Sequence, residues 1–489
     1  MALLEACARS RGPLQLEQKV GSGKTDALGG FFDSKLANTA LALLKTYFGD
    51  TREVPVKTTP FWHEAAAPRE PSGVECPDNA EVVVVGSGFT GLSCALALAE
   101  AGRDVIVIDK GPPGAGASTR NGGMIGWGHK ASVDTLAKRY GHDRAVAMLT
   151  EAKVSLEFTT ELIKTLPVDA MHKQTGRFLG AGSPKHFERL AEWTKTEAPA
   201  LGMEAEVVPK AEVGNYISTD LYQGGVYLPQ HGGLHPALFH KGLLEKAEAA
   251  GAVLIDHCPV ERVEGGDDNW TIHHALGTTK AQHLVYAGNG YTGGAGGPFN
   301  KMARRLIPIP SYIIATEPLG ENRVRSLIPQ GSMIVETRAQ HSYFRPDPWG
   351  ERILYGGRAS LNVMDETLSA RRMRDIMLSV FPDLGDVSLT HSWRGFVAFT
   401  FDGAPHVGQA EGSWYACGYN GSGVAMSPYL GWRLAQKILG TDQGATGFDP
   451  VPFDPQPLYG GNPWFLQVVE MWMKAKDRIE GVQAIRRRS

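Results

Sequence analysis

Val82-Val83-Val84-Val85-Gly86-Ser87-Gly88-Phe89-Thr90-Gly91 decides the fold of this chain. The valine run reads as a strand of a parallel sheet, buried on both faces. Gly86, Gly88 and Gly91 follow at the spacing of a dinucleotide-binding turn. The first permits the tight turn, the second lets backbone approach a pyrophosphate, and the third lets helix and strand pack closely. Residues 92–101 are rich in Ala and Leu and read as a helix ending at Gly102; its first amides and its dipole favour phosphate. Val105-Ile106-Val107-Ile108 reads as a second strand that delivers Asp109, placed to accept hydrogen bonds from a nucleotide ribose. The carboxylate argues against a 2′-phosphate, but it does not separate NAD from FAD. A glycine triplet alone says little. Here strand, turn, helix, strand and acid occur in order, which outweighs a βαβ unit that binds nothing.

The 489 residues suffice for two or three domains. Hydrophobic content of 42% and charged content of 21% are ordinary for a globular protein. A net charge of −3 without a long basic stripe argues against a nucleic-acid partner. The cysteines at 7, 76, 94, 258 and 417 form no C-x-x-C pair and are odd in number. A disulfide framework or thiolate zinc site is therefore not expected, which fits a reducing cytoplasm. No run of about 18 apolar residues predicts a spanning helix, and the first residues lack the pattern of a secretory signal, so a cytoplasmic location is expected. Gly21-Ser22-Gly23-Lys24-Thr25 mimics the end of a phosphate loop. Position 18 is Gln18 rather than glycine and no strand precedes it, so a flexible segment is the better reading.

Residues 33–48 read as an amphipathic helix, followed by polar, Pro-rich sequence over 55–77. Helical patterns cover 132–165, 185–196, 236–250, 371–380 and 424–439. Short strands are expected near 225–229, 253–255, 260, 270–272, 284–287, 312–316, 333–336, 342–344, 353–355 and 414–417. The later strands suggest an antiparallel sheet beside the parallel one. His231, His235 and His240 tempt a metal reading. Gly232, Gly233 and Pro236 keep the first two off one regular helix face, so structural or substrate-facing roles are preferred over metal ligation.

Downstream of Asp109 runs Gly114-Ala115-Gly116-Ala117-Ser118-Thr119-Arg120-Asn121-Gly122-Gly123-Met124-Ile125. Its small residues, hydroxyls and glycine pair suit a loop that follows a large planar cofactor. With the opening motif, this resembles the D-amino-acid-oxidase-type family of FAD-dependent amine oxidases. Gly224-Gly225-Val226-Tyr227-Leu228-Pro229 through His235-Pro236, and Val285-Tyr286-Ala287-Gly288-Asn289-Gly290-Tyr291, are similar to that family's middle segments. Asp402-Gly403-Ala404-Pro405-His406-Val407-Gly408 and Gly418-Tyr419-Asn420-Gly421-Ser422-Gly423-Val424-Ala425 resemble its closing flavin motif. The resemblance spans about residues 61–439. Residues 393–400 and 464–466 look most like the γ-glutamylputrescine oxidase-like and iminodiacetate oxidase-like subgroup.

The resemblance implies an α/β plus α+β fold, in which a Rossmann-like FAD-binding domain is interleaved with an antiparallel-sheet substrate domain. Residues 1–78 form an N-terminal extension in this reading. Residues 79–130, 225–300 and 390–445 bind FAD, 131–224 and 301–389 form the substrate domain, and 446–489 are a C-terminal extension. The implied FAD contacts are Gly86, Gly88, Phe89, Thr90, Gly91, Asp109, Lys110, Ala117, Ser118, Thr119, Arg120, Asn121, Gly122, Gly123 and Met124. Val260, Ala287 and Gly288 follow, then Gly421, Ser422, Gly423, Val424 and Ala425. The helix starting near Val424 would turn its positive end toward the flavin.

Departures from the family pattern inform the substrate. The arginines that hold a carboxylate in glycine oxidase-type members fall at Val397 and Gly421 here. A cysteine that attaches FAD in sarcosine oxidase-type members falls at Gly395, and a histidine used by related dehydrogenases near Asn121 is missing, so FAD is expected to be non-covalent. The oxygen-activating lysine of such relatives maps near Leu354. The family implies hydride loss from the α-carbon of a neutral amine to the flavin, then imine hydrolysis. A substrate carboxylate needs a cationic partner, since burying it bare is costly. Tyr343 and Arg345 share one face of a strand by alternation. Tyr343 and Arg358 match substrate positions of sarcosine oxidase-type relatives; Arg345, His231 and Tyr312 are further candidates. The implied activity is oxidation of a small secondary amine such as iminodiacetate or an N-alkylglycine, with O2 as acceptor and hydrogen peroxide as product. A γ-glutamylputrescine or polyamine oxidase, a dehydrogenase serving a quinone or protein acceptor, and a non-catalytic FAD-binding subunit are the alternatives. The amphipathic stretch 464–479 with Arg486-Arg487-Arg488 offers a peripheral membrane contact, although packing on the body is the plainer expectation.

Overall fold

A computed structural model describes residues 56–128, 131–293, 297–339, 341–449 and 451–481. The expected helix over 33–48, the phosphate-loop mimic and the terminal arginines lie outside the described residues.

The four valines form β1 (Asn79–Val85), followed by helix α1 (Phe89–Glu100) and β2 (Val105–Ile108). β1 pairs in parallel with β2 on one side and with β3 (Gly277–Tyr286) on the other. Val253–Ile255 and Ser413–Cys417 extend the parallel order outward. β-branched residues pack well on both faces of such a strand. Val82 and Val84 meet Leu92, Leu96 and Leu98 on one side, while Val83, Ile106 and Ile108 meet Ile255 and Leu284 on the other.

The second sheet centres on β4 (Leu306–Thr316), β5 (Tyr343–Pro346) and β6 (Ile353–Gly357). Helix α2 (Glu366–Val380) covers its back: Met373, Ile376 and Met377 pack with Tyr312, Ile314, Phe344 and Tyr355. Strand β7 (Leu389–Thr400) pairs along the whole of β4 and closes one edge. The sheet is mixed rather than antiparallel, because Arg177–Gly180 runs parallel to Met333–Glu336. That strand arrives from far back in the chain, so no hairpin dictates its direction. Residues 225–228 and 390–400, which the sequence reading assigns to the FAD-binding segments, pair in this sheet. The predicted helix over 132–165 is two helices, Val133–Tyr140 and His142–Lys164, divided at Gly141 with φ 84°.

Helix α3 (Gly423–Ile438) lies against α1, where a Cβ on Gly431 would land on the Thr90 carbonyl. Helix α4 (Leu466–Ile479) follows near the end of the described chain. No helix among the described residues is long and apolar enough to cross a membrane.

A buried network anchors the turn after β7, which leads into the strand His406–Ala410. Tyr140 donates to Asp402 at 2.6 Å, and His406 Nε2 lies 3.0 Å from the same carboxylate. Burial pushes the Asp402 carboxyl up, but His406, Tyr140 and the Ala404 amide outweigh it and hold it well below the usual range. A depressed folded-state value contributes stability above the unfolded carboxyl's pKa of about 4, lost as pH falls below it. Asp402→Asn is expected to cost about 1–3 kcal/mol at pH 7, with the deficit shrinking below about pH 4, as urea unfolding at both ends of that range would show.

Candidate functional site

Between β1, α1 and α3 runs a groove of ≈ 410 Å³, lined along its length by the predicted glycine motifs. This volume lies in the range of ligand sites. Gly86, with φ 109°, turns the chain, and a Cβ there would sit 3.1 Å from Ala287 backbone. At Gly88 a Cβ would meet Ser118 Oγ at 2.9 Å, the atom that accepts a 2.9 Å bond from the Phe89 amide. Both glycines therefore keep side-chain volume out of the groove. Asp109 Oδ2 accepts bonds from Ser87 N and Oγ at 2.8 and 2.7 Å, while Oδ1 takes the Gly111 amide at 3.2 Å. Ionised carboxylates hold about four acceptor positions, so Asp109, on the groove wall, retains capacity for a ribose hydroxyl.

Lys110, Ala117, Ser118, Asn121, Val260, Ala287, Gly288, Gly421, Gly423 and Val424 also line the wall, with Phe89 and Thr90. Thr90 Oγ1 bonds Tyr419 Oη at 2.6 Å, tying α1 to the closing motif. Other predicted contacts lie behind the wall and support it. Gly91 seats α1 on β1, since a Cβ would overlap the Gly86 carbonyl. Thr119 donates to Gly114 O at 2.9 Å, Arg120 to Ala115 O at 2.8 Å, and Ser422 to Gly128 O at 2.5 Å. Ala425 is buried and accepts from Thr159. Sequence reasoning left Tyr291, Phe396, Val397, Ala398 and Asn420 off its list of FAD contacts, yet all line the groove. Strand β7 carries three of them, and its single Gly395 does not form a cofactor-type glycine motif.

The loop through Gly122, Gly123 and Met124 is gripped from the second sheet. Trp393 Nε1 donates to Arg120 O at 2.9 Å and Trp62 Nε1 to Asn121 O at 2.8 Å. Arg345 Nη1 donates to Gly123 O at 2.6 Å and Leu234 O at 2.9 Å, while its Nε serves Pro346 O. Arg345 was expected to meet substrate. Nη1 and Nε are thus spent on carbonyls, and burial pushes its pKa down to about 10 despite Asp347 nearby. It positions the loop. Arg345→Met strips bonds from two buried carbonyls, Gly123 O on that loop and Leu234 O on the segment paired with it, at roughly 1–3 kcal/mol each. It is expected to weaken FAD retention about 10-fold or more, measured by flavin fluorescence on dilution.

Tyr343 lies on the front of the same sheet, its ring over Gly356 and against Gly122, and its hydroxyl is 2.9 Å from Ser311 Oγ. Burial pushes its phenol up to about 12, against the pull of the Ser311 bond and the Arg358 charge. It is a protonated hydrogen-bonding group at neutral pH. Arg358 is half-buried beside it, 5.7 Å from the Phe399 ring centroid, in a small cleft with Ala339, Leu361, Glu470, Met473 and Lys474. Among the described residues it has neither ion pair nor hydrogen bond.

Tyr312 faces the opposite way, into the back core, with its hydroxyl bonded to Asn362 O and the Met364 amide. Strand alternation excludes it from the front, where Ser311 and Ile313 lie. His231 is fully buried against Trp127 and Gly126, away from the front-face pair, and neither ring nitrogen has a partner. Burial and Arg177 hold it neutral. His235 caps the helix Pro236–Ala249 through Leu238 N, and His240 bonds Ser87 O at 2.7 Å.

A parallel sheet with a glycine turn, an acid just after its second strand and a second helix start facing the same groove define a dinucleotide-binding fold. The chain belongs to the DAO family of FAD-dependent oxidoreductases, whose model matches residues 81–437; this family acts on C–N bonds of amines and amino acids. It is 29% identical over 387 residues to a probable oxidoreductase OrdL of Haemophilus influenzae, covering 78% of this chain and 88% of that one. It is 29% identical over 378 residues to the gamma-glutamylputrescine oxidoreductase of Escherichia coli, covering 77% and 88%. Among solved structures, glycine oxidase from Geobacillus kaustophilus superposes with a TM-score of 0.62 at 20% identity, covering 78% of this chain and 98% of that one. Iminodiacetate oxidase from Chelativorans sp. gives 0.58 at 17%, covering 77% and 100%.

Proposed function

We propose that the chain oxidises the C–N bond of a small secondary amine or amino acid bearing a carboxylate, of the N-alkylglycine or iminodiacetate kind. Arg358 carries this reading: a half-buried guanidinium without a counter-ion among the described residues, beside Tyr343, is what a carboxylate satisfies. Bound FAD supplies the hydride acceptor, held without a covalent link because position 395 is glycine.

Arg358 holds the carboxylate, and Tyr343 with Ser311 donates to a second polar atom of the substrate. Neither group is a base at neutral pH, since the phenol is pushed up to about 12. The amine must therefore arrive neutral, and kcat/KM is expected to rise with pH up to the substrate's own ammonium pKa. A pH profile that instead tracks a group common to all substrates would assign a protein base. With Arg345 Nη1 and Nε on carbonyls, Arg358 as the unpaired cation beside Tyr343 among the described residues favours the single carboxylate of an N-alkylglycine over the two of iminodiacetate.

A γ-glutamylated diamine is the second reading. It is favoured by the likeness to the Escherichia coli relative. Anaerobic bleaching of the flavin by a panel of N-methylglycine, iminodiacetate, γ-glutamylputrescine and uncharged amines separates the two readings. The first expects the fastest bleaching with N-methylglycine; bleaching by uncharged amines alone would overturn both. O2 is the proposed acceptor, although buried Leu354 stands where relatives carry a lysine. Stoichiometric peroxide would support an oxidase, and its absence in air with turnover restored by a quinone would make the chain a dehydrogenase.

A further inference from the structure

Helix α4 shows its apolar side to water. Trp464 is 71% exposed, Val468 66%, Met471 72%, Trp472 62% and Ile479 85%. At 100° per residue Val468, Met471, Trp472 and Ile479 form one stripe, and Trp464 stands just before the helix. Leu466 is the helix's buried residue, and polar groups do much of the work of holding it to the body. Glu470 accepts from Leu361 N at 3.0 Å, Asp477 from Ala339 N at 2.7 Å, and Glu480, just beyond, meets His186 at 2.7 Å. A surface helix of a globular protein normally turns the other way. The stripe continues past the start of the helix through Leu458 and Phe401, 99% and 41% exposed.

Charge identifies the occupant. Lys476 borders one side of the stripe, its Nζ 5.6 Å from the Trp472 ring centroid, and Lys474 and exposed Arg478 border the other. Arg486-Arg487-Arg488 follow in the sequence. Lys474 shares its charge with Glu470 at 2.6 Å, but the carboxylates of Glu470, Asp477 and Glu480 are turned to Leu361, Ala339 and His186 on the body, so the borders of the stripe itself are cationic. Protein interfaces are depleted in lysine, whereas helices lying in a bilayer surface combine tryptophan on the apolar side with flanking Lys and Arg that meet anionic headgroups. We propose that the outer face of α4 docks this protein on an anionic membrane surface, lying in the headgroup region without spanning it. The proposal stands apart from the substrate reading.

Flotation of the full-length, flavin-loaded protein with vesicles tests it. Vesicles of phosphatidylcholine with about one-third phosphatidylglycerol are compared with phosphatidylcholine alone. The protein is expected to float with the anionic vesicles, at least ~10-fold more than with neutral ones, and to be released by salt. Trp464→Glu/Trp472→Glu is expected to abolish flotation with flavin content and melting temperature unchanged, because both side chains are exposed. No flotation by the wild type would overturn the proposal. So would equal flotation by the variant, which would assign binding to residues outside α4. A wild-type dimer that the variant dissolves, with no vesicle binding, would make the stripe a contact between copies and overturn it too.

Discussion

Gly91→Ala is expected to purify without flavin. The added Cβ would overlap the Gly86 carbonyl oxygen and sit 3.2 Å from Val84 Cγ1. A backbone carbonyl in a tight turn cannot swing away as a flexible side chain can, so α1 must lift from β1. The Phe89 amide and the turn at Gly88 move with it, and both belong to the groove wall. A loss of at least ~100-fold in FAD affinity, about 2.7 kcal/mol, is the expected result by fluorescence titration. Gly214→Ala is the matched control, since a Cβ there meets nothing within 4 Å. Retention of FAD by Gly91→Ala at wild-type affinity would show that the close approach of α1 and β1 is dispensable.

Arg358→Met is expected to lower kcat/KM for a carboxylated amine by about 100- to 1,000-fold while FAD stays bound. Removing the cation leaves a substrate carboxylate desolvated without its partner, at roughly 3–4 kcal/mol. An uncharged amine should lose little, and Arg358→Lys should recover part of the rate, since an ammonium keeps the charge but not the bidentate geometry. Steady-state kinetics on both substrate types measures this. A drop of under about threefold for the carboxylated amine would remove Arg358 from the site.

The nucleotide half was legible because its physics is local. Valines at one end of a strand, glycines where backbone must approach, and an acid one strand later all lie within about thirty residues of sequence. Asp109, Ser118 and Gly423, read as FAD contacts, line the groove. The substrate half is built by long-range pairing, which leaves a weaker trace. Gly224–Leu228 and Leu389–Thr400 read as neighbours of nucleotide motifs, yet they pair in the other sheet. Arg345 and Tyr343 share a face, as alternation requires, but only the fold reveals that Arg345 reaches Gly123 and Leu234. Trp62 lay in a segment read as Pro-rich and polar, and its burial against the flavin loop depends on Trp393 and Leu354, hundreds of residues away. The glycines and proline around His231 and His235 argue only against a shared helix face; that His235 caps a helix and His240 bonds Ser87 O is visible in the fold alone.

The visible spectrum of the purified chain, before and after acid precipitation, tests the central claim most directly. A yellow protein that releases FAD, identified by mass, into the supernatant on denaturation is the predicted result. A colourless protein that takes up no FAD at any concentration would contradict it, as would flavin that stays with the precipitate.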